Sequence, residues 1–255
     1  MNFFSSICVL TLGFAFINGQ VAIDNDRVTV KNSNYEKYLQ LTHPVNPETT
    51  VFAFDLHDVL FSKNYRTVSL NVAKTLKRGM FWYVLNPFFL FRAFSIALKD
   101  FIWEDIFYKL SDHYQGFDRF KEDFFDISNS CCEPIVPMIE VLKYLKASGY
   151  KLFLLSNIGN ESYDNFRPRF TEIMSLFDGQ YLPSKENDYH HKPNLKYYQS
   201  FIKYLNNQGL SDKQIIFIDD LSKNLEGAFK VGISGIHCVN SDFVIETLKY
   251  LSVLE

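Results

Sequence analysis

Asp55 ends an apolar run and is followed two residues later by His57. Further along the chain stand Ser156, a lone Lys192 beside a proline, and the adjacent pair Asp219 and Asp220. Removing a phosphoryl group from a monoester needs a nucleophile, a cation, donors for the phosphate oxygens and a group that protonates the leaving oxygen. These residues offer each in turn. Asp55 is a carboxylate nucleophile, and Ser156 with the backbone amides after it, beginning at Asn157, can hold phosphate oxygens. Lys192 is a point charge for phosphate and nucleophile alike. Asp219 and Asp220 are hard oxygen donors of the kind Mg²⁺ prefers.

Such groups act together only if the fold gathers them. Thr50 to Leu56 is a short, continuous apolar run of the kind that forms a strand buried on both faces. Comparable runs occur at Lys151–Ser156 and Ile215–Asp219, with weaker ones at 180–182 and 235–239. Helical periodicity fills the intervals, from near Pro137 to Gly149 and from Leu195 to Asn206. Strands alternating with helices imply right-handed crossovers and a parallel sheet covered on both sides, an α/β fold of three layers. Ligands bind such sheets at the carboxyl ends of the strands, where Asp55, Ser156 and Asp219 all fall.

Residues 61–132 break the alternation and read as helices interrupted at Asn86-Pro87 and Gly116, inserted after the first strand. The run Met80–Phe91 is too short on either side of Pro87 to span a bilayer. It fits packing within the insertion, an apolar substrate pocket, or contact with a membrane surface.

The segments Phe54-Asp55-Leu56-His57-Asp58-Val59-Leu60, Leu155-Ser156-Asn157, Lys192-Pro193 and Ile218-Asp219-Asp220-Leu221-Ser222-Lys223-Asn224 resemble, in order, the four motifs of the haloacid dehalogenase superfamily. The resemblance covers roughly residues 50–245. It implies a Rossmann-like α/β/α core over 48–62 and 133–250, with a helical cap over 63–132. The second half looks most like the branch that includes bacterial sugar-phosphate phosphatases and the amino-terminal domain of soluble epoxide hydrolases. Also implied is a Mg²⁺-dependent hydrolysis of a small phosphorylated substrate through an aspartyl-phosphate on Asp55. The ion would be held by Asp55, the main-chain carbonyl of His57, Asp220, and Asp219 directly or through water, with Asn224 in support.

The chain departs from that pattern at His57, where the family's phosphatases carry a second aspartate that serves as acid and base. Imidazole, with a reference pKa of about 6.5, can do both, and neighbouring carboxylates are expected to favour its protonated form. Three readings stay open: a working acid/base, a site that binds phosphate and Mg²⁺ with little or no turnover, and a different leaving-group chemistry. Dehalogenation, the main case of the last, fits poorly with the retained Asp219-Asp220 pair. A catalytically weak or inactive binding protein is therefore the alternative to a phosphatase.

The remaining composition sets limits. At 255 residues the chain can bury a full α/β core, and 47% hydrophobic with 22% charged residues does not describe a disordered segment. A net charge of −3 gives no reason to expect nucleic acid. No charged residue precedes Asp24, and Phe3 to Ile17 is apolar over the length of a signal-peptide core. Residues 1–23 are accordingly read as an export signal, with a membrane anchor as the alternative, although no Lys or Arg precedes the run. Cys131 and Cys132 read as packed thiols, with a redox pair or metal ligands as the other options. His190 and His191 lack companions at metal-ligand spacing and read as a loop. Neither the substrate nor the oligomeric state can be read from the chain.

Overall fold

The computed structural model of the protein describes residues 37–64, 70, 79–97 and 102–254. The apolar leader, residues 1–23, lies outside the described residues, as do parts of the inserted segment.

Five parallel strands form the main sheet: β1 (Thr50–Phe54), β4 (Lys151–Leu155), β5 (Gly179–Tyr181), β6 (Gln214–Asp219) and β7 (Ser234–His237). Their order is β5-β4-β1-β6-β7, so β1 lies in the centre, paired with β4 on one side and β6 on the other. The chain builds outward through β4 and β5, then returns to add β6 and β7. This puts the change of direction beside β1, and the carboxyl ends of β4, β1 and β6 deliver Ser156, Asp55 and Asp219 side by side.

All five residues of β1 are buried, which is why the segment reads as a continuous apolar run. Alternate side chains serve opposite layers. Val51 and Ala53 join a core cluster with Phe153, Leu155 and Phe217 of neighbouring strands and with Tyr197, Tyr198, Phe201 and Leu205 of helix α8 (Leu195–Asn207). Phe52 and Phe54 instead make edge contacts with Tyr150 and Phe177. Helix α9 (Ser222–Phe229) adds Leu225 and Ala228 to the first cluster.

Local signals place the helix ends. α5 (Val136–Ala147) carries Pro137 in its first turn, where a missing N–H costs nothing. It stops at Gly149, whose φ of +89° permits the left-handed turn in which the Tyr150 N–H donates to Leu145 and that of Gly149 to Lys146. The side chain of Asn194 accepts the Lys196 N–H to cap α8, and Asn240 caps α10 (Ser241–Tyr250) by accepting from Phe243.

A second, two-stranded ladder pairs β2 (Phe61–Lys63) antiparallel with β3 (Cys132–Pro134), setting Lys63 opposite Cys132. Sequence periodicity gives no strand at either place, because three residues are too few for alternation to register. The ladder brings the two ends of the insertion together.

The chain forms two compact units, one drawn from Asn32–Lys63, Ile102–Glu104 and Cys132–Glu255 and the other including Asn64–Phe101 and Asp105–Cys131. The second contains α1 (Phe81–Val84), α2 (Pro87–Ala97), most of α3 (Trp103–Ser111) and α4 (Lys121–Asn129). Its interior is aromatic: Tyr83, Phe89, Phe107, Phe117, Phe120 and Phe124 meet edge-on or tilted at centroid distances of 5.2 to 6.3 Å. None of the described helices is long and apolar enough to cross a membrane.

Candidate active site

The Lys192 ammonium, buried and immobilised, lies 2.9 Å from Asp55 Oδ1 and 2.7 Å from Asp219 Oδ2. Burial alone would lower its pKa, but the two carboxylates outweigh that and hold it above the ordinary lysine value, so the charge persists. Asp219 is fixed on every side. Its Oδ1 accepts from the Leu221 N–H at 2.8 Å and from Asn224 Nδ2 at 2.9 Å, while Oδ2 accepts from Lys192 and, at 3.1 Å, from Asn224. Asn224 stands one turn into α9, so one helix supplies both a backbone and a side-chain donor to the strand end.

Carboxylate oxygens of Asp55, Asp219 and Asp220 lie within 4.8 Å of one another, the one cluster of three potential ligands among the described residues. Asp220 is pushed up to about 8, first by burial and then by the charges of Asp55, Asp219 and Asp58, with Lys192 pulling the other way. Anionic groups gathered at this density ask for a cation beyond the single ammonium present. The three potential ligand atoms of the cluster are all hard carboxylate oxygens, a donor set that suits a Mg²⁺-like ion better than zinc.

His57 follows β1 and forms a bridge with Phe61 at the foot of β2. Its pKa is lowered well below the usual imidazole value, chiefly by burial and further by Lys63 and Lys192. This corrects the expectation that neighbouring carboxylates would favour its protonated form: the loss of solvent and the two lysines work the other way and favour the neutral ring. Its Nδ1 lies 3.9 Å from Cys132 Sγ, a partner that no spacing rule connects to residue 57. Cys131 points elsewhere and donates to the Ser128 carbonyl.

Asp58 adopts φ +58°, the left-handed region that favours glycine. Asp58→Gly is expected to raise unfolding stability by up to about 1 kcal/mol by relieving that conformation. Urea denaturation of both forms checks it, and a loss of stability would show that the Asp58 side chain contributes more than its backbone costs.

Ser156 is buried at the end of β4, where its carbonyl accepts from the Tyr197 hydroxyl at 2.9 Å. The side chain of Asn157 is spent otherwise: it accepts the Lys192 N–H at 2.8 Å and donates to the Lys192 carbonyl at 3.0 Å. As a phosphate ligand Asn157 can therefore offer its backbone N–H, while its amide clamps the lysine loop to the β4 end. Gly227 makes a related contribution that the motifs do not reveal. A Cβ there would sit 2.6 Å from the Pro193 carbonyl oxygen and 2.9 Å from the Tyr198 ring, so only glycine lets α9 approach the loop that carries Lys192.

Comparison with known proteins bears on the same residues. The family model for haloacid dehalogenase-like hydrolases matches residues 73–238, which takes in Ser156, Lys192 and Asp219-Asp220 and begins after Asp55 and His57. A sesquiterpene phosphatase of Aspergillus oryzae is 29% identical over 114 residues, 45% of this chain and 55% of that protein, so the match spans about half of that relative's length. Among solved structures, a haloacid dehalogenase family enzyme of Bacteroides thetaiotaomicron superposes with a TM-score of 0.51 at 18% identity, over 74% of this chain and 93% of that one. A dehalogenase solved with an intermediate complex gives 0.48 at 18% identity, over 76% and 85%. With its parallel sheet, its strand-end carboxylates and a family match over more than half its length, the chain belongs to the haloacid dehalogenase-like hydrolase family.

Proposed function

We propose that this hydrolase is a Mg²⁺-dependent phosphatase of a small phosphomonoester. The observation that carries the reading is the Lys192 ammonium held between Asp55 and Asp219 beside the free end of the Asp220 pair. Lysine there neutralises both the nucleophile and the incoming phosphate. Asp55 attacks phosphorus, the ester P–O bond breaks, and the leaving oxygen takes a proton from His57. Water then attacks the aspartyl-phosphate as His57 accepts its proton, releasing phosphate and restoring Asp55. Because burial, Lys63 and Lys192 favour the neutral imidazole, His57 takes up the proton for the first half from solvent as substrate binds: a phosphate dianion beside it opposes the effect of the two lysines and favours the imidazolium.

Asp55 and Asp220, with the His57 main-chain carbonyl that the family resemblance adds, would hold Mg²⁺. Asp219, whose two oxygens already accept four hydrogen bonds, fits better as an orienting group that reaches the ion through water. When bound, the ion supplies further positive charge to the phosphate oxygens. A protonated Asp220 competes with it. Raised to about 8, Asp220 favours the metal-free fold while it is neutral, and that contribution is lost as pH rises through about 8. Thermal unfolding with and without Mg²⁺ should therefore show a larger stabilising shift near pH 8 than near pH 6. Equal shifts at both would exclude Asp220 as a ligand that must give up a proton.

The test is release of inorganic phosphate, with and without Mg²⁺, from sugar, nucleotide and isoprenoid phosphates. The terpenoid compounds enter because the relative named above is a sesquiterpene phosphatase. A second reading, a site that binds phosphate without turning it over, draws support from the depressed His57 pKa. His57→Asp separates the two. Wild-type turnover whose pH profile changes in His57→Asp marks a histidine acid/base, whereas turnover only in His57→Asp marks a phosphate site silenced at that residue.

A further inference from the structure

Between Asn64 and Asp100 the chain has six Lys and Arg residues and not one Asp or Glu, although the whole protein carries a net charge of −3. The same stretch contains α1 and α2, whose outward side chains are large and apolar. Trp82 is 74% exposed, Phe88 78% and Phe91 74%, with Phe94 and Leu85 beside them at about half exposure. On α2, Phe88, Phe91 and Phe94 recur at i, i+3 and i+6 and form one band, while Phe89 on the opposite side is buried in the aromatic interior.

This unit already has an aromatic core, so the outward set is additional to what holds it together. A cluster of exposed aromatics on one monomer surface marks an interaction site. The charge tells what kind. A protein partner's apolar patch would give no reason for a segment purged of every carboxylate. A bilayer carrying anionic lipid attracts Lys and Arg, repels Asp and Glu, and accepts Trp and Phe at the level of its headgroups.

We propose that the outward faces of α1 and α2 dock on the surface of an anionic-lipid bilayer. Phe88, Phe91 and Trp82 enter the headgroup boundary of a lipid surface whose negative charge a stretch free of carboxylates does not repel. The inference stands apart from the phosphatase reading, because it uses no residue of the strand-end site.

The test uses the full chain and vesicles of phosphatidylcholine with and without phosphatidylserine. The protein has two tryptophans, Trp82 and Trp103, so Trp103→Phe leaves Trp82 as the sole reporter. Its emission should shift to the blue and be quenched by brominated lipid on anionic vesicles only, and the effect should fade in roughly 0.5 M salt, where screening is strong. The second measurement is vesicle flotation of the wild type against Phe88→Gln/Phe91→Gln, which should lower the bound fraction at least about tenfold by removing two apolar anchors. Three results overturn the proposal: a chain that floats while Trp82 emission stays unmoved, which assigns the attachment to the apolar leader; flotation equal in wild type and double variant; or a blue shift that grows with protein concentration in the absence of lipid, which assigns the face to a second copy of the chain.

Discussion

Asp55→Asn is expected to lower the proposed Mg²⁺-dependent phosphate release by on the order of 10³-fold or more while leaving the fold intact. The amide is almost the same size as the carboxylate, so the strand end that carries it, paired with β4 and β6, has no reason to move. Its carbonyl oxygen can still accept the Leu56 N–H that Asp55 Oδ1 accepts at 2.7 Å. What disappears is the negative oxygen proposed to attack phosphorus and one charge of the three-carboxylate cluster, and loss of a nucleophile costs orders of magnitude rather than a factor of a few. The measurement is phosphate release on the best substrate, with circular dichroism to show that the fold persists. Turnover within tenfold of wild type would mean that Asp55 is not the nucleophile.

Lys192→Met should be the most damaging single change to the fold of any site substitution. The lysine side chain is fully buried and its ammonium is the counter-charge to both Asp55 and Asp219. Methionine fills much the same volume, so the loss is electrostatic. Two carboxylates, one of them wholly buried, are left without their cation, and breaking a buried ion pair in this way costs about 3–5 kcal/mol. Turnover falls with it by about 10²-fold or more, since the same charge serves the phosphate. Mg²⁺ offsets part of the stability loss by neutralising the same oxygens but leaves turnover low. Urea unfolding with and without the ion gives the first number and initial rates the second. A stability change below about 1 kcal/mol would show that the two carboxylates do not depend on Lys192 for their charge.

Much of the arrangement was legible along the chain because it is local. The apolar runs at 50–56, 151–156 and 215–219 announce buried strands, and a polar residue at the end of such a run has few places to be except the carboxyl edge of a parallel sheet. All five expected strands occur within a residue or two of their expected places. Asn224, five residues after Asp219, is also local, since one turn of α9 carries its amide back to the strand end.

The short ladder β2–β3 could not be read in the same way. Three residues on each side carry no period, and the partners stand some seventy residues apart in sequence, so only the folded chain shows that Lys63 and Cys132 belong together. The environment of His57 follows from that pairing. Its neighbours along the chain are aspartates, which suggested a protonated ring, whereas its neighbours in space include Lys63, Lys192 and the Cys132 thiol. The same holds for Asn157, whose side chain meets the backbone of Lys192 thirty-five residues away.

The fold class, the order of the chemically active strand ends and the identity of the charged groups are all readable along the chain, because they depend on periodicity and on residue type. Folding settles which charges face one another, and with that the downward shift of the His57 pKa and the upward shift of Asp220, the four hydrogen bonds to Asp219 and the outward turn of Trp82 and Phe88. The reason is that burial and Coulomb energy depend on distance through space, which the spacing of residues along a chain does not contain.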